Sequence, residues 1–276
     1  MRTPLDKVVL SSDSSPKFIN FWPIAALSWQ KIMGVDPILA YVVRNKGDEN
    51  LIPKLSLYGE VFPIYSDSKA PAANQGKMAR WFVASQFENE IVTVDDIDSI
   101  FLKANYLEDK LRFLDEDRLL GIGSEVYSGP DLGKFPATNL TGLGNHFANL
   151  FHYKRKMSFD LFLHQFEFVE KIDGKENPFN VPGKFSDESL IRAISVPGQI
   201  KVIPRNLNEQ TDWLDRNNWP TKWSSHNLPD IQIVNFPRPL FLHQKKVKPI
   251  IQMFYSEDYP WIKTKKMWRL RGRFLT

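Results

Sequence analysis

The sequence contains no cysteine among its 276 residues. Disulfide bonds and cysteine-ligated zinc sites are therefore excluded, and a reducing compartment such as the cytoplasm is permitted. No apolar run approaches the roughly 18 residues that span a bilayer as a helix. The first residues also lack the apolar core of a signal peptide. Together these absences predict a soluble, cytoplasmic protein, of a kind found in bacterial or viral settings.

Excess positive charge is scarce outside the C-terminus. The net charge of +4 includes six Lys and Arg residues at 263–276, a segment without acidic residues. Subtracting these six leaves the rest of the chain at −2, which does not suit a nucleic-acid-binding domain. The basic tail also carries Trp268 and Phe274. It is predicted either to contact an anionic membrane surface or a partner, or to form a solvated terminus.

The chain opens with a strand–helix–strand pattern. Residues 7–10 form a short apolar run, and a polar loop follows. Apolar residues at spacings of three and four predict a helix over residues 18–33, with Pro23 as a kink or late first turn and Gly34 as its C-cap. Residues 37–43 read as a buried strand. This order is typical of an open parallel sheet, whose ligands bind at the carboxyl ends of the strands.

The remaining pattern predicts the rest of an α/β fold. Further predicted elements are strands at 61–65 and 91–94 and helices at 75–88, 158–170 and 188–193. Residues 121–144 are rich in Gly, Pro, Ser and Asn and are predicted to form a loop. From about residue 198 the regular pattern fades. We therefore expect a mostly parallel sheet flanked by helices, with a less regular C-terminal half.

Acidic residues follow the predicted strand at 91–94 directly. Asp96 and Asp98 are two apart, so in extended backbone their side chains point the same way. Carboxylate oxygens suit Mg²⁺ or Mn²⁺, and such an ion can bind a substrate diphosphate and neutralise a leaving phosphate. The alternative interpretation is a turn or helix cap, above all for Asp95.

Four segments together resemble the nucleotide-sugar half of GT-A glycosyltransferases. They are Val-Val-Leu-Ser-Ser-Asp at 8–13, Phe-Trp-Pro at 21–23, Gln-Gly-Lys-Met-Ala-Arg-Trp at 75–81 and Val-Asp-Asp-Ile-Asp at 94–98. The resemblance covers about the first 100 residues and extends loosely to 127–129 and 135–139. It implies a Rossmann-type GT-A domain with a nucleotide-sugar half at 1–104, an acceptor-side half at 105–262 and a tail at 263–276.

The resemblance also implies an activity and its cofactors. The activity is transfer of a sugar, a hexose or pentose, from a nucleotide sugar to a glycan or other hydroxyl acceptor. The donor that it favours is a UDP-sugar, held with Mn²⁺ or Mg²⁺ at the Asp-x-Asp motif. The sequence leaves the sugar, the acceptor, the stereochemistry and the oligomeric state open.

For the donor site, the resemblance assigns two groups of residues. Ser11, Ser12 and Asp13 contact the nucleoside, a role compatible with capping the first helix. Lys77 and Arg80 reach the base or the phosphates; the alternative is a solvated helix face.

For the metal site, the resemblance assigns Asp98 as a direct ligand. Asp96 is the second ligand, and it also faces the donor, as Asp95 does. His226 is implied as a third ligand from late in the chain, and His146 is its rival.

For the chemistry, Asp187 and Glu188 resemble an acidic pair of inverting enzymes, which deprotonates the acceptor hydroxyl. The alternative is a helix N-terminus capped by Ser186, with acids in the first turn. A retaining enzyme would need no such base. Trp213, Trp219 and Trp223 either stack on a sugar or pack the C-terminal half.

Other functions compete with sugar transfer. A nucleotidyltransferase or phosphatase could use the same acids and metal, although the loop after the first strand lacks the glycine expected of a nucleotidyltransferase. A glycoside hydrolase would use separated carboxylates without metal. A degenerate, non-catalytic sugar-nucleotide-binding protein is the remaining alternative.

Overall fold

The computed structural model describes residues 5–123, 135–167, 171–172, 175–176, 179, 181, 185–205, 213–214, 231–238, 243 and 247. Within these residues the strands are β1 (Lys7–Ser12), β2 (Pro37–Val43), β3 (Glu60–Tyr65), β4 (Ile91–Val94), β5 (Ser99–Phe101), β6 (Leu119–Ile122), β7 (Leu140–Leu143), β8 (Lys171–Ile172), β9 (Lys175–Glu176), β10 (Ile200–Ile203), β11 (Trp213–Leu214) and β12 (Ile233–Asn235). The α-helices are α1 (Pro16–Ile19), α2 (Trp22–Ser28), α3 (Lys46–Glu49), α4 (Ile52–Leu55), α5 (Ala72–Ala84), α6 (Asn105–Leu111), α7 (Gly144–Leu150), α8 (Phe159–Glu167) and α9 (Asp187–Ile194). None of the helices in these ranges is long and apolar enough to cross a membrane.

Seven strands form the central sheet, in the order β10-β6-β7-β4-β1-β2-β3. All neighbouring pairs are parallel except those of β7, which runs antiparallel to β4 and β6. The predicted fold class, an open and mostly parallel sheet flanked by helices, is confirmed. A separate three-stranded sheet has the order β11-β12-β5.

Both faces of the central sheet are covered. In β1, Val8 and Leu10 belong to one apolar cluster and Val9 to the other, and all three are fully buried. The first cluster includes residues of α2 and α6, and the second includes residues of α5, α7, α8 and α9. Because successive side chains of a strand point to opposite faces, an unbroken apolar run such as that of β1 is what a sheet buried on both faces requires.

The predicted first helix forms as three consecutive pieces. Ser15 caps α1, and α2 begins at Trp22 with Pro23 in its first turn, where the missing N–H costs no hydrogen bond. A π-helical turn at Trp29–Met33 follows, and Gly34 ends it with φ of 68°. The prediction of Gly34 as the C-cap is confirmed, because this left-handed conformation favours glycine.

The prediction of a loop over residues 121–144 is wrong at both ends. Gly121 lies in β6 and Gly142 lies in β7, and these strands are neighbours in the central sheet. A Cβ at Gly142 would lie 2.7 Å from a Leu119 methyl carbon. The Leu119 methyl group would have to move to admit a Cβ, so packing between the strands favours glycine here, and strand pairing overrides the local preference of glycine for turns. Residues 124–134 lie outside the described part of the chain.

Gly144 gives a direct test of this packing. A Cβ there would lie 2.1 Å from the carbonyl oxygen of Phe87 and 2.9 Å from that of Ala84. These are backbone atoms, which cannot move aside as the end of a flexible side chain can. Gly144→Ala is therefore expected to lower the free energy of unfolding by about 2–3 kcal/mol. Gly121→Ala is the matched control, because its nearest neighbour would be a methyl carbon at 3.4 Å. Urea denaturation of both variants measures the difference, and equal stabilities would contradict the packing.

The strand order also sets the place of a ligand site. From β1 the chain passes to β2 and β3 on one side and then returns to β4 on the other side of β1. Such a reversal opens a crevice at the carboxyl ends of the two strands beside it, where ligands of open α/β sheets bind. The ends of β1 and β4 therefore mark the expected site.

Candidate active site

A pocket of about 250 Å³ lies at this reversal. Its lining residues come from the end of β1, from α1 and α5, from the turn after β4, from the start of α9 and from the segment after β12. They are Ser11, Ser12, Asp13, Phe18, Ala73, Gly76, Lys77, Arg80, Asp96, Ile97, Asp187, Glu188 and Arg238. The structure thus brings together most of the residues that the sequence singled out for the donor and for the chemistry.

The loop after β1 is held by its own hydrogen bonds. The Ser12 hydroxyl donates to the Asp13 carbonyl (2.7 Å), and Asp13 Oδ1 accepts from the Ser15 amide (3.0 Å). Burial raises the pKa of Asp13. Helix α5 approaches this loop closely, since a Cβ at Gly76 would lie 3.3 Å from the Asp13 amide nitrogen. The loop is thereby fixed at the pocket wall, where Ser11, Ser12 and Asp13 line the pocket, while Ser15 is the residue that caps α1.

Arg80 connects the acids from two parts of the chain. Its side chain is 4% exposed, and its Nη1 donates to Asp96 Oδ1 (2.6 Å) and to the Asp95 carbonyl (3.2 Å). Its Nη2 pairs with Asp187 Oδ2. Burial by itself would lower the pKa of Arg80, but Asp187 and Asp96 more than offset it and raise the pKa. Arg80 is therefore a permanent, buried cation between the two acids, and the solvated helix face considered for it is not what the structure shows.

Lys77 lies one helical turn before Arg80 and is more accessible. Its side chain is 39% exposed, and its Nζ donates to the Phe185 carbonyl (2.8 Å). The carboxylate of Asp187 lies 3.8 Å from the Lys77 Nζ. Lys77 therefore presents a partly exposed positive charge at the pocket wall.

Asp187 and Glu188 occupy the first turn of α9, as their alternative interpretation predicted. Ser186 is the N-cap: its Oγ accepts from the Ser189 amide (3.3 Å) and donates to Glu188 Oε2 (2.6 Å). Both acids also line the pocket, so the capping role and a chemical role coexist. Burial first and the neighbouring Asp187 second raise the pKa of Glu188. A carboxyl with a raised pKa at a pocket wall suits proton transfer.

Asp95 serves the turn and does not line the pocket. It is fully buried; its Oδ1 accepts from the Asp96 amide (2.7 Å) and lies 3.4 Å from the Asn139 amide nitrogen. Its Oδ2 has no hydrogen-bond partner among the described residues. Burial first and the Asp96 charge second raise the pKa of Asp95 well above its usual value. The turn interpretation therefore describes Asp95 better than contact with the donor.

Asp95→Asn is expected to stabilise the fold at neutral pH. A carboxyl whose pKa is raised by folding takes up a proton on folding, so its contribution to stability falls as pH rises above its unfolded pKa. Asparagine keeps the acceptor for the Asp96 amide and never ionises. We expect the variant to gain on the order of 1 kcal/mol at pH 7, because asparagine removes the cost of keeping a carboxyl with a raised pKa protonated at that pH, although its amide group takes the unpartnered place of Oδ2. The gain should shrink toward pH 4. Denaturant titrations at both pH values test this, with the exposed Asp117→Asn as control; a constant difference would contradict it.

Asp98 pairs with Arg238, a residue that no sequence pattern had indicated. Asp98 is fully buried, and Arg238 donates to both of its carboxylate oxygens, from Nε to Oδ2 (2.6 Å) and from Nη2 to Oδ1 (2.5 Å). Arg238 Nη2 also lies 3.7 Å from Asp96 Oδ2. Arg238 stands in an unremarkable Phe-Pro-Arg-Pro segment, and no motif or spacing in the sequence marked it.

The predicted divalent ion does not fit Asp96 and Asp98 as they are arranged. Both oxygens of Asp98 already accept from Arg238, and Asp96 Oδ1 accepts from Arg80. Among the described residues no three His, Cys, Asp or Glu side chains form a metal-binding group. His226, the predicted third ligand, lies outside the described residues. His146, its rival, is the third residue of α7 and is not among the residues of the pocket wall.

Comparison with known proteins finds similar solved structures. The galactosyltransferase LgtC, in complex with donor and acceptor sugar analogs, is 10% identical, with a TM-score of 0.45 over 94% of this chain and 99% of that one. The glycosyltransferase GlyE of Streptococcus pneumoniae TIGR4 is 15% identical, with a TM-score of 0.45 over 93% of this chain and 56% of its own. The bifunctional glycosyltransferase WbbM is 14% identical, with a TM-score of 0.41 over 95% of this chain and 51% of its own. The chain thus spans about half the length of GlyE and WbbM. No family model and no curated protein matches the sequence.

Proposed function

We propose that the protein is a glycosyltransferase whose pocket takes a nucleotide sugar, with a UDP-sugar as the favoured donor and a glycan hydroxyl as the acceptor. The observation that carries the proposal is the composition of the pocket at the β1–β4 reversal. There Lys77, Arg80 and Arg238 lie with Asp187 and Glu188 around one cavity. Cations for a diphosphate and a carboxyl for proton transfer are the two requirements of this reaction.

The nucleoside is assigned to the β1 loop. Asp13 is held in place through Ser15 and is buried at the pocket wall, so it is pre-organised to accept from ribose hydroxyls. Phe18 adds an aromatic face at the same wall. The diphosphate then extends toward α5, where Lys77 offers the accessible charge.

The acceptor hydroxyl is assigned to Glu188. In its ionised form Glu188 takes the hydroxyl proton as the acceptor oxygen bonds to the anomeric carbon of the donor. The bond from that carbon to the diphosphate oxygen breaks, and the diphosphate leaves with the electron pair. Lys77 and the two arginines stabilise the charge that develops on the leaving group. A single displacement of this kind inverts the anomeric centre.

Ligand binding tests the assignment. Thermal-shift and calorimetric titrations with a panel of nucleotide sugars are expected to show saturable binding of one sugar nucleotide. Lys77→Ala should weaken that binding about tenfold, the usual effect of losing one charged hydrogen bond. Lys201→Ala is the matched control, because Lys201 pairs with Asp115 instead of lining the pocket. Tight binding of a nucleoside triphosphate and none of any sugar nucleotide would favour a nucleotidyltransferase instead.

A further inference from the structure

A positively charged side chain of the protein itself, that of Arg238, lies at the Asp96–Asp98 turn. The guanidinium of Arg238 pairs with both oxygens of the fully buried Asp98, in the two-point geometry that makes arginine–carboxylate pairs strong and directional. Its charge is also close to Asp96, at 3.7 Å. Burial by itself would lower the pKa of Arg238, but the pairing with Asp98 and the nearby charge of Asp96 more than offset it and raise the pKa. The arginine is thus a fixed positive charge at the turn.

Backbone pairing sets the position of Arg238. Strand β12 runs antiparallel to β5 with Asn235 opposite Ser99, and the Phe236 amide donates to the Asp98 carbonyl (2.9 Å). Continuing this register places Arg238 beside the Asp96–Asp98 turn. Its guanidinium also lies over the Phe18 ring, with 4.9 Å to the ring centroid. Arg238 therefore reaches the turn by the architecture of the small sheet and is not a surface side chain that happens to bend inward.

A divalent ion would have to displace this arrangement. It would take Asp98 from two charge-assisted hydrogen bonds and Asp96 from its bond with Arg80. Arg80 would keep Asp187 as its partner, but Arg238 would lose both of its bonds to Asp98, and both guanidinium groups would lie close to a dication. Both the lost pairing and the like-charge repulsion oppose binding of the ion.

The same cations retain capacity for an anion. Within the described part of the chain, Arg238 Nη1 has no hydrogen-bond partner, and Lys77 keeps N–H donors beyond its bond to Phe185. Asp96 is the most exposed acid of the turn, at 25%. An entering phosphate can therefore compete with Asp96 for Arg80 and Arg238 without uncovering the buried Asp98.

We propose that Arg238 takes the place of the divalent cation, so that Arg238, Arg80 and Lys77 bind the donor diphosphate without metal. The inference rests on the proposed nucleotide-sugar site and adds to it how the charge of the diphosphate is neutralised. The residues Asp96 and Asp98 then act as positioning residues, which hold the two guanidinium groups apart and oriented.

Calorimetric titration of the wild-type protein with UDP, in EDTA and in excess Mn²⁺, tests the inference. We expect UDP to bind in EDTA, with an affinity that Mn²⁺ changes less than about threefold. Electron paramagnetic resonance of Mn²⁺ alone should show no site in the wild type. UDP binding that requires Mn²⁺ would overturn the inference and leave the donor site standing. Failure of UDP and of every nucleotide sugar to bind under both conditions would overturn the proposed function itself.

Variants of Arg238 separate its role from general stability. Arg238→Gln should weaken UDP binding in EDTA about tenfold to a hundredfold and expose Asp96 and Asp98 to Mn²⁺, giving a resonance signal that the wild type lacks. Arg118→Gln is the matched control, because Arg118 pairs with Asp115 away from the pocket. Should Arg238→Gln fail to fold, Arg238→Lys keeps the charge without the two-point pairing and should weaken UDP binding. Unchanged UDP binding in a folded Arg238 variant would refute the inference.

Discussion

Arg80→Met is expected to lower the free energy of unfolding by about 3–5 kcal/mol, a size typical of removing one partner from a buried ion pair. Arg80 is 4% exposed and Asp187 is 5% exposed, and the two are paired directly. Removing the arginine leaves Asp187 buried, and among the described residues Lys77, at 3.8 Å, is the cation that remains beside it. Asp96 is 25% exposed and can be hydrated. The loss should therefore come mainly from Asp187.

A second substitution checks that attribution. The double variant Arg80→Met/Asp187→Asn should recover most of the lost stability, because replacing a buried pair as a whole is often nearly neutral. Denaturant titrations of Arg80→Met, of Asp187→Asn and of the double variant give the free energies of unfolding for a double-mutant cycle. Arg118→Met, at a pair that is 38% and 30% exposed, should cost no more than about 1 kcal/mol. Equal stability of the double variant and Arg80→Met would contradict the assignment of the loss to Asp187.

Glu188→Gln is expected to lower kcat by about 10²–10⁴, the usual contribution of a positioned general base. Glutamine is nearly isosteric with glutamate and can still accept from the Ser186 hydroxyl, so donor affinity should stay close to that of the wild type. Initial-rate measurements of UDP release, with the donor found in the binding screen, provide kcat. Calorimetry provides the donor affinity, and a parallel loss of affinity would point to a structural role for Glu188.

The pH dependence of the reaction gives an independent readout. A general base works in its ionised form, so kcat/KM should rise with pH through the pKa of Glu188 and then level off. Because burial and Asp187 raise that pKa, the rise should occur above the range of an ordinary glutamate. Ser186→Ala removes a hydrogen bond that lowers the pKa and should shift the rise to higher pH. An unshifted profile in that variant would contradict the assignment of the rise to Glu188.

Local pattern predicts the part of the fold that positions the donor loop. The apolar run of β1 is one such pattern, and the spacing of apolar residues before Gly34 is another. Each depends on residues that are close together in the sequence. The same holds for Ser186, because a serine followed directly by two acidic residues is a local pattern that predicts a helix N-cap. The glycines at 121 and 142 mislead for the opposite reason, since the strands that contain them pair with distant parts of the chain.

The residues of the site also divide into those that local sequence predicts and those that depend on long-range strand pairing. Residues that follow β1 or β4, or that share one face of α5, could be found because strand ends and helix faces are local properties. Arg238 could not be found, since its position depends on the pairing of β12 with β5, strands separated by more than 130 residues. The sequence marked Asp98 as a metal ligand because an acid two residues from Asp96 suits a cation. Only the tertiary structure shows that the guanidinium of Arg238 pairs with both carboxylate oxygens of Asp98.

A crystal structure of the protein with a UDP-sugar, grown in EDTA, tests whether the pocket at the β1–β4 reversal is the donor site. We expect a diphosphate within hydrogen-bond distance of Lys77 and Arg238, with the nucleoside against the loop of Ser11, Ser12 and Asp13. We also expect the sugar to lie on the side of Glu188. A nucleotide sugar bound elsewhere, such as in the groove lined by Glu88, Tyr153 and Arg155, would contradict the assignment of this pocket as the donor site.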